Sequence, residues 1–445
     1  MKNLFFLTIL GLSVSGQASV TISGISSGAF MAVQMGTIYS DQISGVGSVA
    51  GGFYFCAQNH FQNKEAQANL FGVGNRSYFD SQVAIRNIFS IDPKASRFEP
   101  GRNNPIYQSV AICMQNPDQA EIKMDMIKSN QEKGLIAPIE NLKNQKVLIY
   151  QGKVDAVVRP PMLDKMLEFY KQVEVPENQI KVVQADGGHN FPTDQAKHSS
   201  CQEQGVPYIS SCNLNLAGEI LSHLLGRTDL ERVADRKSNE KNLFTVSQVL
   251  PKVTGVITPK SVAEYGYLAA SAQCLENPAD CQLHVALHGC EMSDSFDREF
   301  DHSYAEVAKI GILQMRTKAE TELLSPLPLG VSPFPVLPYI EQRKERYGAL
   351  KFALDSGYLD YVEKNKLMVL FPQTWITADN YPMNPKGCWD WYGWTGDDYA
   401  TNKGVEPQWL MAYIQQIQKA PKAFILKRPL KIKQADQLES KFAGQ

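Results

Sequence analysis

Short apolar runs alternate along the chain with segments of helical spacing, and that alternation gives the first outline of the fold. Runs rich in Val, Ile and Leu span 19–23, 43–50, 146–150, 180–184, 265–270, 282–288 and 367–372, several of them closing on Gly or Asp. Such runs predict strands buried on both faces, as in a parallel sheet. Between several of them, 29–39, 161–173, 217–225, 304–309 and 408–417 carry apolar residues at helical spacing. Strands alternating with helices predict an α/β sheet. Three stretches break the alternation: 59–104 is polar and punctuated by Gly and Asn, 229–259 is charged and strand-poor, and 323–338 holds five prolines. Irregular insertions of this length act as lids, binding loops or linkers.

The first residues change the picture of where this fold works. Lys2 precedes the apolar stretch Leu4 to Leu12, and the small residues Ser15, Gly16 and Ala18 follow. That is the layout of a cleavable export signal, with cleavage expected after Ala18. Read as a membrane anchor, the apolar run falls short of the roughly 20 residues needed to span a bilayer. Stable membrane insertion is therefore not expected. The domain plan is a signal peptide over 1–18, one α/β domain over 19–427 with lid-like insertions near 59–104 and 323–338, and a tail over 428–445.

Lys plus Arg number 44 against 46 Asp plus Glu, a net charge of -2 that supplies no field for nucleic acid or acidic lipid. The expected substrate is neutral or weakly charged. Eight cysteines in an exported chain are expected to pair. Cys201 with Cys212 and Cys274 with Cys281 would each close a short polar loop; spacing leaves the partners of Cys56, Cys113, Cys290 and Cys388 open. A zinc site is the competing reading, but the chain contains no CxxC pair.

Candidate chemistry begins at Gly24-Ile25-Ser26-Ser27-Gly28, between an expected strand and an expected helix. G-x-S-x-G in that context is a nucleophile elbow, whose small residues permit a strained turn that lifts the serine Oγ above the sheet. An elbow serine needs a base, and the base an orienting carboxylate. Asp155 follows the strand 146–150, and His189, in Gly187-Gly188-His189, follows the next strand, so both are expected at the carboxyl edge of the sheet. Asp186 and Asp194 remain alternatives to Asp155. The order Ser26, Asp155, His189 is that of α/β-hydrolases.

An oxyanion hole would take the Ser27 amide and a second from Leu287-His288-Gly289-Cys290. That turn lies after the triad residues in the chain, which implies a circularly permuted sheet. His284 and His288, four residues apart, are also readable as metal ligands, but no carboxylate-rich partner lies nearby. Neither metal nor organic cofactor is expected. The segment from Asn384 to Trp394 gathers three of the five tryptophans among Pro, Gly and Lys, which suggests a platform near the surface that touches substrate.

Taken together, Gly24 to Gln34, Ala50-Gly51-Gly52, Gly188-His189, Leu283 to Glu291 and Asn384 to Trp391 resemble the single-domain extracellular polyhydroxybutyrate depolymerases, a circularly permuted branch of the α/β-hydrolases. The resemblance runs through most of the chain after residue 18. It implies a secreted serine esterase acting on a polyester or its oligoesters, with Ser26, Asp155 and His189 as triad and the Ser27 and Cys290 amides as oxyanion hole. Trp389 and Trp391 fall in the aromatic motif of the family's substrate crevice. Cys290 at the oxyanion turn and Cys388 beside that motif make a disulfide between them a further expectation. The two insertions, and the lack of a linker and polymer-binding module after the final helix, depart from the pattern and favour soluble oligomers over crystalline polymer. Feruloyl, aryl or acyl-carbohydrate esters are the alternative substrates, and an inactive polymer- or sugar-binding protein is the alternative class. No sequence feature speaks to oligomeric state.

Overall fold

The computed structural model describes residues 20–57, 107–195, 198–293, 348–376, 384 and 386–427. The expected signal peptide, the insertions near 59–104 and 323–338, the helix expected at 304–309 and the tail lie outside the described residues. Within them runs a nine-stranded sheet. Its strands are β1 (Val20–Ile25), β2 (Ile43–Val49), β3 (Lys146–Gly152), β4 (Ile180–Ala185), β8 (Leu243–Ser247), β9 (Tyr265–Ala270), β10 (Gln282–Leu287), β11 (Leu367–Phe371) and β12 (Ile425–Lys427), in the order β12-β8-β9-β11-β10-β1-β2-β3-β4. Between β4 and β8 in the chain, β5 (Phe191–Thr193), β6 (Ser199–Ser200) and β7 (Ile209–Ser211) form a separate three-stranded sheet.

From β11 through β4 every neighbouring pair is parallel, while β8, β9 and β12 join antiparallel. The mainly parallel sheet is thus as expected. β1, first of the described strands in the chain, sits in the middle, with β2 to β4 on one side and all the C-terminal strands on the other. That order is the circular permutation inferred from the late His-Gly turn.

The two-residue period of a strand divides the core into two layers. On β3, Val147 and Ile149 enter one cluster with residues of the helices Ser27–Ile38, Met162–Gln172 and Val405–Lys419. Leu148 and Tyr150 enter the other, with residues of Leu216–Leu225 and Gly348–Asp355. The helix Ser27–Ile38 is buried all round, which its sequence SGAFMAVQMGTI, lacking any charge, permits.

One expectation about strands is corrected. β4 is not buried on both faces: it is the last strand of the sheet, and Val182 is 41% exposed. The charged stretch 229–259, read as strand-poor, holds one strand that the apolar runs did not single out, β8, paired with β9 through Leu243↔Ala269 to Ser247↔Tyr265. Its arginines anchor it to the rest: Arg232 bonds Asp360 at 2.9 Å and Arg236 bonds Asp355.

Candidate active site

At the carboxyl end of β1 the chain turns sharply into a helix, and the turn residue is Ser26, with φ 56° and ψ -122°. This is a sparsely populated conformation for any residue with a side chain, and such strain concentrates at functional sites. Surrounding bonds enforce it. The Ser26 amide donates to Val49 O at 2.9 Å, while Ser26 O accepts from the amides of Ala29 and Phe30 at 2.9 and 3.0 Å. The flanking glycines are required sterically: a Cβ on Gly24 would lie 2.3 Å from Gly28 C, and one on Gly28 would lie 2.3 Å from His288 O. The second contact also shows that the His288–Gly289 turn packs against the elbow.

Asp155 and His189 follow β3 and β4, parallel strands whose carboxyl ends lie at the same edge of the sheet as that of β1. The two loops are tied by Lys153 N to Ala185 O at 3.0 Å and Val154 N to Gly187 O at 3.1 Å. Asp155 Oδ1 accepts from the amides of Val157 and Val158 at 2.8 and 2.9 Å, and its Oδ2 meets His189 Nδ1 at 2.9 Å. The Asp155 side chain is fully buried and that of His189 is 4% exposed. Asp155 Oδ2, an acceptor, fixes the proton of neutral His189 on Nδ1, leaving Nε2 as the acceptor. The alternatives are engaged elsewhere: Asp186 is largely exposed and paired with Lys153 at 3.0 Å, and Asp194 is bonded by Arg232, which holds its carboxyl below the usual range. The Tyr208 and His189 rings meet edge to face with centroids 5.9 Å apart.

The helix Ser27–Ile38 opens with the Ser27 amide, which as a first-turn donor has no carbonyl within the helix to bond. The second proposed donor, the Cys290 amide, belongs to a peptide whose plane is fixed by His288. Thr374 donates its backbone N–H to His288 Nε2 at 3.2 Å, so the ring proton sits on Nδ1, which donates to Gly289 O at 2.7 Å. A trans peptide points its N–H opposite to its C=O. Holding Gly289 O therefore fixes the direction of the Cys290 N–H. Burial pushes the His288 ring down to about 4, which keeps it neutral for this purpose. On sequence alone His288 reads as part of a turn or, with His284, as a metal ligand; the His-Gly pair is the one local signal of this positioning role.

All eight cysteines are in disulfides: Cys56–Cys113, Cys201–Cys212, Cys274–Cys281 and Cys290–Cys388. The last fastens the His288–Gly289 turn to the aromatic segment across 98 residues of chain. Glu291 strengthens the junction, accepting from Tyr208 Oη at 2.8 Å and Lys386 Nζ at 2.7 Å.

The aromatic segment is core where a platform near the surface was expected. Trp389 has no exposed surface, Trp391 is 6% exposed, and Trp394 is 2% exposed. Trp391 stacks on Phe30 of the helix Ser27–Ile38 at 3.9 Å between centroids, and Trp389 N donates to Ser27 Oγ at 3.3 Å. The physical reason is Asp390. Its buried carboxylate accepts from the amides of Tyr392, Gly393, Trp394 and Thr395, curling the segment inward around itself. Its own amide donates to Glu406 Oε2 at 2.8 Å, and burial together with the Asp390 charge raises the Glu406 carboxyl to about 8.

His284 is equally occupied: Nδ1 lies 2.8 Å from Thr21 Oγ1 and Nε2 2.8 Å from Ser23 Oγ, which also meets Tyr358 Oη at 2.7 Å. With both ring nitrogens used, it offers no metal a lone pair, and among the described residues no group of three or more His, Cys, Asp and Glu is placed to hold a metal ion. Burial pushes the His284 ring from 6.5 down to about 3. Between those values the unfolded chain binds a proton that the folded one refuses, so this ring makes stability fall as pH drops from about 6.5 toward 3. In melting curves at pH 7 and pH 4, His284→Asn is expected to lose less stability on acidification than the unsubstituted protein, and equal losses would contradict this account of the ring.

A permuted, mainly parallel sheet, a strained serine at the turn from a central strand into a helix, and a histidine held by a buried carboxylate at the same sheet edge are the features of the α/β-hydrolase fold. No protein-family model matches the chain. The similarity to polyhydroxybutyrate depolymerases that the motifs imply is found in both sequence and structure. The chain is 24% identical over 403 residues to the poly(3-hydroxybutyrate) depolymerase of Delftia acidovorans, covering 90% of this chain and 60% of that protein. It is 25% identical over 411 residues to the polyhydroxybutyrate depolymerase of Talaromyces funiculosus, covering 90% and 89%. Among solved structures, the PHB depolymerase from Penicillium funiculosum superposes with a TM-score of 0.60 at 23% identity, covering 91% of this chain and 96% of that one. A serine-to-alanine variant of a PHB depolymerase complexed with R3HB trimer gives the same values.

Proposed function

We propose that this protein is an exported serine esterase that hydrolyses polyhydroxybutyrate or its hydroxybutyrate oligomers. In this reading His189 Nε2 takes the Ser26 proton as Ser26 Oγ attacks the ester carbonyl carbon. The amides of Ser27 and Cys290 receive the oxyanion, and Asp155 stabilises the imidazolium without taking its proton. The imidazolium then protonates the departing alcohol oxygen, leaving an acyl group on Ser26. Water attacks the acyl group, giving its proton to His189, and the acid leaves as Ser26 recovers its hydrogen.

The observation that carries the reading is the 2.9 Å bond between His189 Nδ1 and Asp155 Oδ2, at the sheet edge where Ser26 is held in its strained turn. The substrate class is supported by similarity over 90% of the chain to proteins named for polyhydroxybutyrate and by a net charge of -2, which suits a neutral ester. Four disulfides fit an oxidising compartment, and no described helix is long and apolar enough to cross a membrane. Export would remove Met1 to Ala18. Trp389 and Trp391 would then act on substrate indirectly, as the packing behind the oxyanion turn.

The test is a panel of (R)-3-hydroxybutyrate trimer, methyl ferulate and acetylated xylan at equal ester content. The trimer is expected to give a kcat/KM at least tenfold above the other two, a difference of about 1.4 kcal/mol in transition-state binding. A preference for ferulate or xylan esters would replace the substrate and keep the mechanism.

A further inference from the structure

We propose that Gln204 is a positioning residue of this site, a clamp whose single side-chain oxygen holds the Asp155 loop and the His189 loop at a fixed separation. The proposal rests on the esterase reading of Ser26, Asp155 and His189. Gln204 Oε1 accepts from Ala156 N at 2.8 Å and from His189 N at 3.1 Å. These amides belong to the residue after the acid and to the base itself. Because both donors are backbone N–H groups, the oxygen and not the NH2 of the amide must face them, and the Nε2 on the other side lies 3.4 Å from Val154 O. Three backbone positions on two loops thus converge on one side chain.

The clamp is itself anchored. Cys201, three residues earlier, is bonded to Cys212, and Cys201 O accepts from Gly188 N at 2.9 Å and from Asn190 Nδ2 at 2.7 Å. Asn190 Nδ2 also reaches Glu203 O at 3.1 Å. The Gln204 side chain crosses directly over Gly188, where a Cβ would lie 2.3 Å from Gln204 Cγ. The second glycine of the Gly187-Gly188-His189 segment leaves room for Gln204 and for Gln202 O, which the same Cβ would meet at 2.7 Å.

The functional consequence follows from the bond the clamp protects. Asp155 Oδ2 and His189 Nδ1 sit at 2.9 Å only while their loops keep this spacing, and a displacement of about 1 Å in a catalytic group can cost on the order of 100-fold in rate. Gln204 is exposed, so its bonds add little to global stability while they set local geometry.

The experiment compares the full-length protein with Gln204→Ala and Gln204→Glu in steady-state kinetics on p-nitrophenyl butyrate from pH 5 to 9, with amide hydrogen exchange read on the same preparations. Gln204→Ala is expected to lower kcat about 10- to 100-fold, with KM unchanged within about twofold and faster exchange at Ala156 and His189. Gln204→Glu keeps an oxygen acceptor and is expected to recover most of kcat. Wild-type kcat and unchanged exchange in Gln204→Ala would overturn the proposal, as would a Gln204→Glu variant no better than alanine. A wild-type protein that neither hydrolyses the ester nor reacts with a fluorophosphonate would sink the esterase reading instead, and the exchange measurement would still decide the clamp.

Discussion

Ser26→Ala is expected to lower kcat on a short-chain ester by a factor on the order of 10^5 to 10^6 while the protein keeps its fold. The elbow is built by bonds that use only the backbone of this residue, to Val49, Ala29 and Phe30, and by the glycines on either side. Alanine inherits that backbone with its strain, so the melting temperature should stay near that of the original. Ser26→Gly makes the separation of roles visible. Glycine adopts a positive φ at little cost, so this variant should be equally inactive yet more stable, by about 1 kcal/mol. Steady-state kinetics on p-nitrophenyl butyrate with parallel melting curves check both halves. A glycine variant less stable than alanine would mean that the φ of 56° stores no strain.

Asp155→Asn is expected to lower kcat about 10^4-fold at neutral pH. The substitution is nearly isosteric, and an Asn oxygen at the Oδ1 position can still accept from Val157 and Val158 at 2.8 and 2.9 Å. That orientation turns the NH2 toward His189 Nδ1, where the structure now has an acceptor. Nδ1 must then become the acceptor and the ring proton moves to Nε2, the nitrogen required to take the Ser26 proton. The loss therefore comes from a tautomer and leaves packing intact. The measurement is kcat on the same ester beside a circular dichroism spectrum; a loss under tenfold with a native spectrum would transfer the orienting role to another carboxylate.

How far the sequence could be read depended on how local each cause was. β1, β2, β3, β10 and β11 were legible because each is a run of apolar residues, most of them closed by Gly or Asp, in strands that have neighbours on both sides. β8 was not, because LFTVS is a short strand beside the charged helix Arg236–Glu240, and β12 and the three strands of the small sheet are two or three residues each. The exposure of β4 is a property of its place in the sheet, which its own residues do not encode.

The site divides along the same line. Ser26 was legible because the elbow needs its glycines within two residues. Asp155 stood beside Asp186 and Asp194 as alternatives, since all three follow strands and only burial and partners separate them. The inward turn of Trp389 and Trp391 was illegible because composition does not say which way a loop faces; here a buried carboxylate, Asp390, decides it. Gln204 carried no signal at all, because its bonds reach residues 48 and 15 positions away through backbone groups that any side chain would leave in place.

The central claim, that Ser26 is the nucleophile of an esterase, is tested most directly by trapping it. The protein is inactivated with diisopropyl fluorophosphate, digested and mapped by mass spectrometry, with residual hydrolysis of p-nitrophenyl butyrate followed in parallel. The account predicts one diisopropylphosphoryl group on the peptide carrying Ser26, appearing at the rate at which activity is lost and missing from Ser26→Ala. A label on another serine, or an active protein that takes up no label, would contradict it.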